Sequence, residues 1–514
     1  MKKYLFSFCL IISFIANAQS PDDALRTAWF TQNGSARMMA VGGVMGSLGG
    51  DISAANINPA GLGLYKTREI VLTPGFFSNN NKLSYRGTDT SSNKNIFSNG
   101  PIGIIFGSSG NNQKKWTSSA FAISVSQLAN YNNHIQYTGS NNNTSFTEQY
   151  LEELARDRAD TNSALSNYIF GSSLAFRTFL IDTTIVNGQL GYKSLVPLAS
   201  PSNPTAGVMQ SYDANTTGGY QEIALSLAGN MEDKLYVGGT VTIPVISYQR
   251  DFFYSEKDAT NNPNNNFAYF NYTESLKSTG VGVGLKLGMI YKPKDFWRIG
   301  FAFHSPQWIS FKDEIRASIT ANTEAYAGLR TVTSDELNSG NPGTREYNIL
   351  TPWRAIASAS YVFREVANTK KQRAFVSADI EYVNYRGARF STTGNNNSSA
   401  MQNYYSMVNG EIKDYYKGNV NLKLGGELKF DPWMFRLGAA YYGSPYADNN
   451  LKADRFVTAA GIGYRNYGFF IDITYSATFV KDVNFPYRLN DVPNTYATQS
   501  GNINGLIITF GFKF

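Results

Sequence analysis

The run Gly280-Val281-Gly282-Val283-Gly284-Leu285-Lys286-Leu287-Gly288-Met289-Ile290-Tyr291 decides the fold. Val281, Val283, Leu285, Leu287, Met289 and Tyr291 take alternate positions, with Gly280, Gly282, Gly284, Lys286 and Gly288 between them. A period of two marks a strand with one apolar face. Two further runs repeat it. Val420, Leu422, Leu424, Leu428 and Phe430 oppose Asn421, Lys423, Glu427 and Lys429, and Phe469, Ile471, Ile473 and Tyr475 oppose Asp472 and Thr474.

Working outward, fourteen segments carry this patterning, at about 68–78, 100–107, 117–138, 218–228, 234–248, 279–292, 297–304, 351–363, 373–382, 418–430, 433–442, 455–464, 467–475 and 503–514. Short links near 108–116, 229–233, 293–296, 364–372, 431–432 and 465–466 alternate with long ones near 79–99, 139–217, 249–278, 305–350, 383–417, 443–454 and 476–502. A transmembrane barrel with tight periplasmic turns and long outer loops requires that alternation, and a soluble sandwich does not. An even strand count returns both ends to one side, as closure of an antiparallel barrel demands. The sequence therefore predicts an all-β, fourteen-stranded antiparallel transmembrane barrel over 68–514.

Composition agrees. The 514 residues are 16% charged, against about 25% in ordinary globular chains, yet 14% aromatic with 46 Gly and only 42% hydrophobic. Lys2-Lys3, the apolar run Tyr4 to Ile15 and Ala16-Asn17-Ala18 form a three-part secretory signal over 1–18, with cleavage expected before Gln19. Cys9 lies inside the apolar run, which speaks against a lipoprotein anchor and leaves the mature chain without cysteine. One Cys and two His leave no Cys/His metal cluster, disulfide framework or cysteine nucleophile, and no cofactor is expected. The net charge of +7 is not clustered, so no nucleic-acid surface is read from it. Beyond Ile15 there is no run of 18 apolar residues, so a membrane is to be met by strands.

Parity assigns the faces. Phe510, Phe512 and Phe514 face lipid, and Trp297, Trp353, Trp433, Tyr361, Tyr441, Tyr464 and Tyr475 fall near strand ends, as interface girdles do. Lys286, Arg298, Arg354, Asp379, Glu381, Lys423, Glu427, Arg436 and Asp472 face inward. Both signs are present, so ion pairs that hold the barrel's shape explain most of them.

A barrel of this width needs a filling. Residues 19–67 are small and turn-rich: Gly34-Ser35-Ala36-Arg37, Gly42-Gly43, Gly46, Gly49-Gly50-Asp51, then Asn56-Ile57-Asn58-Pro59-Ala60-Gly61-Leu62-Gly63. Glycine and alanine allow close packing on an enclosing wall, and Asn58-Pro59 marks a turn. The stretch from Gly42-Gly43 to Asn58-Pro59-Ala60-Gly61-Leu62 resembles the hatch motif of the FadL/TodX family of outer-membrane transporters for long-chain fatty acids and aromatic hydrocarbons. The resemblance spans the mature chain and implies a fourteen-stranded barrel closed by an N-terminal hatch. It also implies a Gram-negative outer-membrane location, a hydrophobic ligand, contact with membrane lipid, a monomer, and a terminal Phe514 of the kind read by the barrel-assembly machinery. Asn58, Pro59, Ala60 and Gly61 match the hatch turn and are the candidate gating residues, with Asn58-Pro59 as hinge. Members of the family release ligand sideways through a kink in an early wall strand. The third segment has no proline, although Gln127, Ala129 and Asn130 interrupt its apolar face; Pro244 lies inside the fifth.

In the longest link, Phe146 to Arg158 puts Tyr150, Leu151, Leu154 and Ala155 on one helical face, and a second helix is expected from Ala164 to Phe176. Either these helices collect apolar substrate or they cap the rim. Asn79–Asn81, Asn141–Asn143, Asn261–Asn266 and Asn395–Asn397 read as solvated loop tips. His304 beside Ser305 is weak ground for a hydrolase, and His134 and His304 read better as rim histidines bonded to loops. Two functions remain. One is passive uptake of fatty acids or hydrocarbons, with Arg298, Arg354 and Arg436 the candidates for a ligand carboxylate. The other is a non-transporting partner or cargo shuttle of a protein-secretion system, as some relatives are.

Overall fold

The computed structural model describes residues 21–31, 33–110, 115–186, 188–201, 203–260, 262–363, 373–394 and 397–514. The expected signal segment with Cys9, the link 364–372, and Asn261, Asn395 and Asn396 lie outside them.

The alternating segments pair into a closed antiparallel wall of fourteen strands. Eight are single runs: Val208–Met231, Leu235–Asp258, Tyr269–Lys294, Gly418–Phe430, Trp433–Tyr442, Arg455–Asn466, Phe469–Asn484 and Ala497–Lys513. The other six are each two segments either side of a break. They are Arg68–Leu72 with Pro74–Tyr85, Thr88–Asn99 with Ile102–Ser109, Trp116–Asn130 with Asn133–Asn141, Trp297–His304 with Trp308–Asn322, Gly343–Leu350 with Arg354–Phe363, and Ala374–Asn384 with Arg389–Thr392. Pro101, Pro306 and Pro352 sit in three of these breaks, where a missing N–H interrupts the ladder. Closure comes from the first strand pairing the last, Glu69 opposite Lys513 and Gly75 opposite Ile507.

Tyr269–Lys294 has 26 residues, about 85 Å at 3.3 Å each, far beyond the ~25 Å apolar band of an outer-membrane barrel. The periodicity of the sequence marked the membrane-embedded part, where Val281 to Tyr291 face outward. Beyond it Thr273, Ser275, Lys277 and Thr279 continue the outward face as polar residues, and the wall projects from the membrane. The same extension corrects the expected first long loop. Residues 79–99 belong to a hairpin whose turn, Arg86-Gly87, has φ of 50° and 81°, the pair of positive values that a two-residue hairpin turn needs. Asn79 and Asn81 are buried wall residues, not solvated tips, and so is Asn141.

The faces follow parity. Phe510, Phe512 and Phe514 are exposed, as are Trp297, Trp433, Tyr441 and Tyr475, while Trp353, Tyr361 and Tyr464 are half-buried. Trp297–Tyr361 and Trp433–Tyr464 meet edge-on at 5.3 and 5.0 Å near the tight turns. Trp353–Tyr382 at 5.3 Å lies nearer the long loops.

The longest loop holds the helix Glu148–Arg156, with Tyr150 and Leu154 buried. Leu151 is half-buried, and Ala155, expected on the same face, is exposed. The second expected helix is two, Thr161–Ser166 and Ser172–Arg177, separated at Gly171. A hairpin, Ile181–Val186 with Gln189–Ser194, follows. Between the ninth and tenth strands stands the helix Ser399–Tyr415, in a stretch read from sequence as loop.

Candidate functional site: the hatch, its seat and a seam in the wall

Residues 34–64 lie inside the barrel almost wholly buried. Their turns use the glycines: Gly42, Gly43 and Gly50 have φ of 71°, 80° and 69°. Asp51 fixes the bend from within, accepting from Ser35 Oγ at 2.7 Å and Ser53 N at 2.9 Å. Wall glycines let the hatch touch backbone. A Cβ on Gly300 would lie 1.9 Å from Gly46 O, one on Gly425 2.1 Å from Val41 O, and one on Gly438 2.0 Å from Gly42 N.

Polar groups complete the seat. Asp379 Oδ2 accepts from Met45 N (3.0 Å) and Gly46 N (2.9 Å). Thr509 Oγ1 accepts from Ala36 N at 2.7 Å, and Thr474 Oγ1 donates to Ala36 O at 2.6 Å. Asn58 Nδ2 donates to Gly46 O at 2.5 Å, Met289 O at 3.2 Å and Phe301 O at 3.3 Å, while Oδ1 accepts from Ala60 N at 3.1 Å. Asn58 is therefore a clamp on two wall strands. Its φ of −134° and ψ of 98° are ordinary extended values, so the turn stores no backbone strain for a hinge. Pro59, Ala60 and Gly61 form the short 3-10 turn that follows, fully buried. His304 is no rim residue either. It is buried in the wall with Nε2 2.8 Å from Ile57 O, while Ser305 Oγ bonds Pro306 O and Leu285 N, so the two form no nucleophile–base pair. His134, nearer the rim, contacts Asp213 Oδ1 at 3.1 Å.

The three candidate arginines are not brought together. Arg354 pairs with His304 in the ladder and Arg298 with Ser360, at opposite ends of the same strand pair. Arg436 is enclosed by Glu427 and Asp472, each at 2.6 Å, with Arg37 of the hatch reaching the same Glu427 at 3.4 Å. Arg298 is buried near the tight-turn side. Arg354 lies on the long-loop side of the hatch. Its Nη1 pairs with Glu381 at 3.1 Å, its Nη2 donates to Ala28 O at 2.6 Å, and its guanidinium lies 4.7 Å over the Phe30 ring. It lines a small cavity of about 50 Å³ with Lys286, Glu222, His304, Glu381 and Phe30, where Lys286 pairs with Glu222 and Gln307 bonds Tyr220. Sequence reasoning missed the part played by residues 21–31. They climb the lumen above the hatch and fill it with Leu25, Trp29 and Phe30, packed against Tyr220, Phe311 and Tyr347. Arg26 lies 3.8 Å over Tyr248, and Asp22 pairs with Arg488 of an outer loop at 3.0 Å. Above them a second cluster joins Phe146 and Tyr150 of the longest loop to Tyr212, Tyr254, Phe270 and Tyr487. Glu256 anchors that loop, accepting from Ser145 Oγ at 2.6 Å and Phe146 N at 2.8 Å. Burial still holds its carboxyl above the ordinary range.

Among the described residues the wall has a seam between its second and third strands. The second and third strands pair from Ser109↔Ser118 to Ile102↔Val125. Farther out, among the described residues, no ladder joins Thr88–Asn99 to Trp116–Asn130 or Asn133–Asn141. The third strand bulges between Gln127 and Ala129 and breaks at Tyr131-Asn132. Side chains close the gap. Thr90 and Ser92 hydroxyls donate to Gln136 O and His134 O at 2.7 and 2.6 Å. At its lower end Asn33, from the N-terminal segment, donates through Nδ2 to Ser98 Oγ, Asn99 O and Gln127 O at 3.4, 3.1 and 2.9 Å. The polar interruption Gln127, Ala129, Asn130 was the signal in the sequence. At Pro244 the ladder to the fourth strand is unbroken, and that to the sixth skips only Ile243 and Pro244.

No protein-family model and no curated protein matches this chain. Among solved structures it is similar to a FadL homologue of Pseudomonas aeruginosa, at 15% identity, 93% of this chain, 98% of that one and a TM-score of 0.52. It is also similar to the toluene transporter TodX of Pseudomonas putida, at 12% identity, 94% and 99% coverage and a TM-score of 0.51. At these identities the likeness establishes the fold alone, that of the FadL and TodX barrels.

Proposed function

We propose that the protein is an outer-membrane channel for passive uptake of hydrophobic small molecules, long-chain fatty acids or hydrocarbons. The observation that carries this reading is the seam between the second and third wall strands, closed by Asn33 of the N-terminal segment. Leu25, Trp29 and Phe30 occupy the lumen with apolar surface that a ligand can replace. Each methylene taken from water contributes about 0.8 kcal/mol, so no energy source is needed. Moving this segment also unseats Asn33 and opens a sideways exit into lipid, while the hatch at 34–64 stays seated. The solved structures of the same fold, one a toluene transporter by name, support the choice of ligand class.

Of the three arginines, Arg354 is the one we assign to a ligand carboxylate; its Nη2 donates to Ala28 O, and displacement of that segment would release the donor. The test is equilibrium binding of radiolabelled palmitate and of toluene to the detergent-purified barrel, with a porin as control. Saturable binding near one per barrel supports the reading, and binding no greater than to the porin overturns it.

A second reading draws on one observation, the aromatic packing that closes the outer lumen. A partner of a secretion machine needs no passage, and pull-down of a secretion component by a barrel that binds no apolar ligand would favour it.

A further inference from the structure

The lipid-facing surface is not uniformly convex. Between the eighth and the fourteenth wall strands it is indented by a groove of about 1290 Å³, continued toward mid-membrane by a concavity of about 590 Å³. The sequence explains the dent. On the inner face Gly425 and Gly438 leave no room for a Cβ against Val41 and Gly42 of the hatch, so the wall is drawn onto the plug. On the outer face Gly426, Ala439 and Ala460 leave the depression unfilled, among exposed Leu428, Leu437 and Tyr475.

The groove begins beside the tight turn Asp431-Pro432, at Arg373, Leu428 and Phe435, and ends near Leu424, Ala439 and Thr458. From Phe435 to Ala439 is about 13 Å along the strand, close to one leaflet of a ~30 Å hydrocarbon core. Its volume exceeds the ~300–1,000 Å³ of common small-molecule sites. Arg373, exposed at the headgroup end, is fixed through its backbone: its N–H donates to Phe363 O at 3.3 Å and its carbonyl accepts from Lys429 N at 2.8 Å.

We propose that this groove binds a glycerophospholipid of the periplasmic leaflet, acyl chains in the indentation and phosphate on Arg373. A cation above an apolar slot one leaflet deep matches that chemistry. A second copy of the barrel does not, since two concave faces related by a twofold axis leave a void between them. Acyl chains gain little by exchanging bulk lipid for protein, so retention rests on close packing and on the arginine–phosphate contact.

The test is native mass spectrometry of the full barrel released from bilayer discs of phosphatidylethanolamine and phosphatidylglycerol. The variants are Arg373→Ala, the groove-filling pair Gly426→Leu with Ala460→Leu, and Val283→Leu on another part of the wall. The wild type should keep a phospholipid that Arg373→Ala and the filled groove each lose by about tenfold, the scale of one charge-assisted contact. Val283→Leu should keep it. Folding is checked for each variant by heat-modifiable mobility, and Arg373→Ala carries the test alone if the filled groove does not fold. Equal retention in every variant overturns the proposal, as does a dimer of barrels that the filled groove abolishes.

Discussion

Arg354 holds a hatch-side carboxylate, Glu381, and a carbonyl of the segment that blocks the lumen, Ala28. Replacing it with alanine leaves Glu381 paired to Lys423 at 2.8 Å, so that carboxylate keeps a cationic partner. Arg354→Ala is expected to weaken palmitate binding by about 10–100-fold, the loss of one charge-assisted contact, with toluene binding unchanged. Equal losses for both ligands would contradict a carboxylate role. At Gly288 a Cβ would lie 1.9 Å from Asn58 Oδ1. Gly288→Ala should therefore push the Asn58 amide off its three carbonyls at a cost of about 1–3 kcal/mol. Faster hydrogen exchange at residues 54–64 would show it, and unchanged exchange would contradict the clamp. The inward direction of Arg298, Arg354 and Arg436 was legible from alternation alone. Their partners were not, because strand register sets them: Glu427 meets Arg436 only once the ladder is aligned.

Elements inside the membrane were readable because lipid on one side and a polar plug on the other enforce a period of two. Outside it the wall faces water on its outer side, the contrast fades, and the strand extensions read as loop. The helix Ser399–Tyr415 was missed although its signals were present: Ser398 caps Met401 N, and Met401, Tyr405, Val408 and Ile412 are the buried stripe. Asparagines nearby suggested a solvated tip and masked the helical period. The longest loop is held at Glu256, which gathers Ser145, Phe146, Gln210 and Tyr254 as donors. Glu256→Ala leaves these buried donors unsatisfied and should speed proteolysis within 142–207 while the barrel keeps its heat-modifiable mobility. Unaltered cleavage would contradict that anchoring role.

For the whole molecule, the sequence carried the barrel and the position of the plug. It did not show that the plug has two parts with opposite roles. Residues 34–64 sit on a glycine-lined seat with backbone contacts around the wall, whereas residues 21–31 fill the lumen and Asn33 seals the seam through its side chain. Only the folded arrangement places Asn33 beside Ser98, 65 residues away in the chain. The proposed lateral route requires movement of that upper segment. The most direct measurement is palmitate uptake by cells lacking their own transporter and making the Asn33→Cys, Ser98→Cys double variant, in which the seal can be tied by a disulfide. Uptake should be lost when the pair is oxidised and return on reduction. Undiminished uptake through the oxidised barrel would contradict the lateral route.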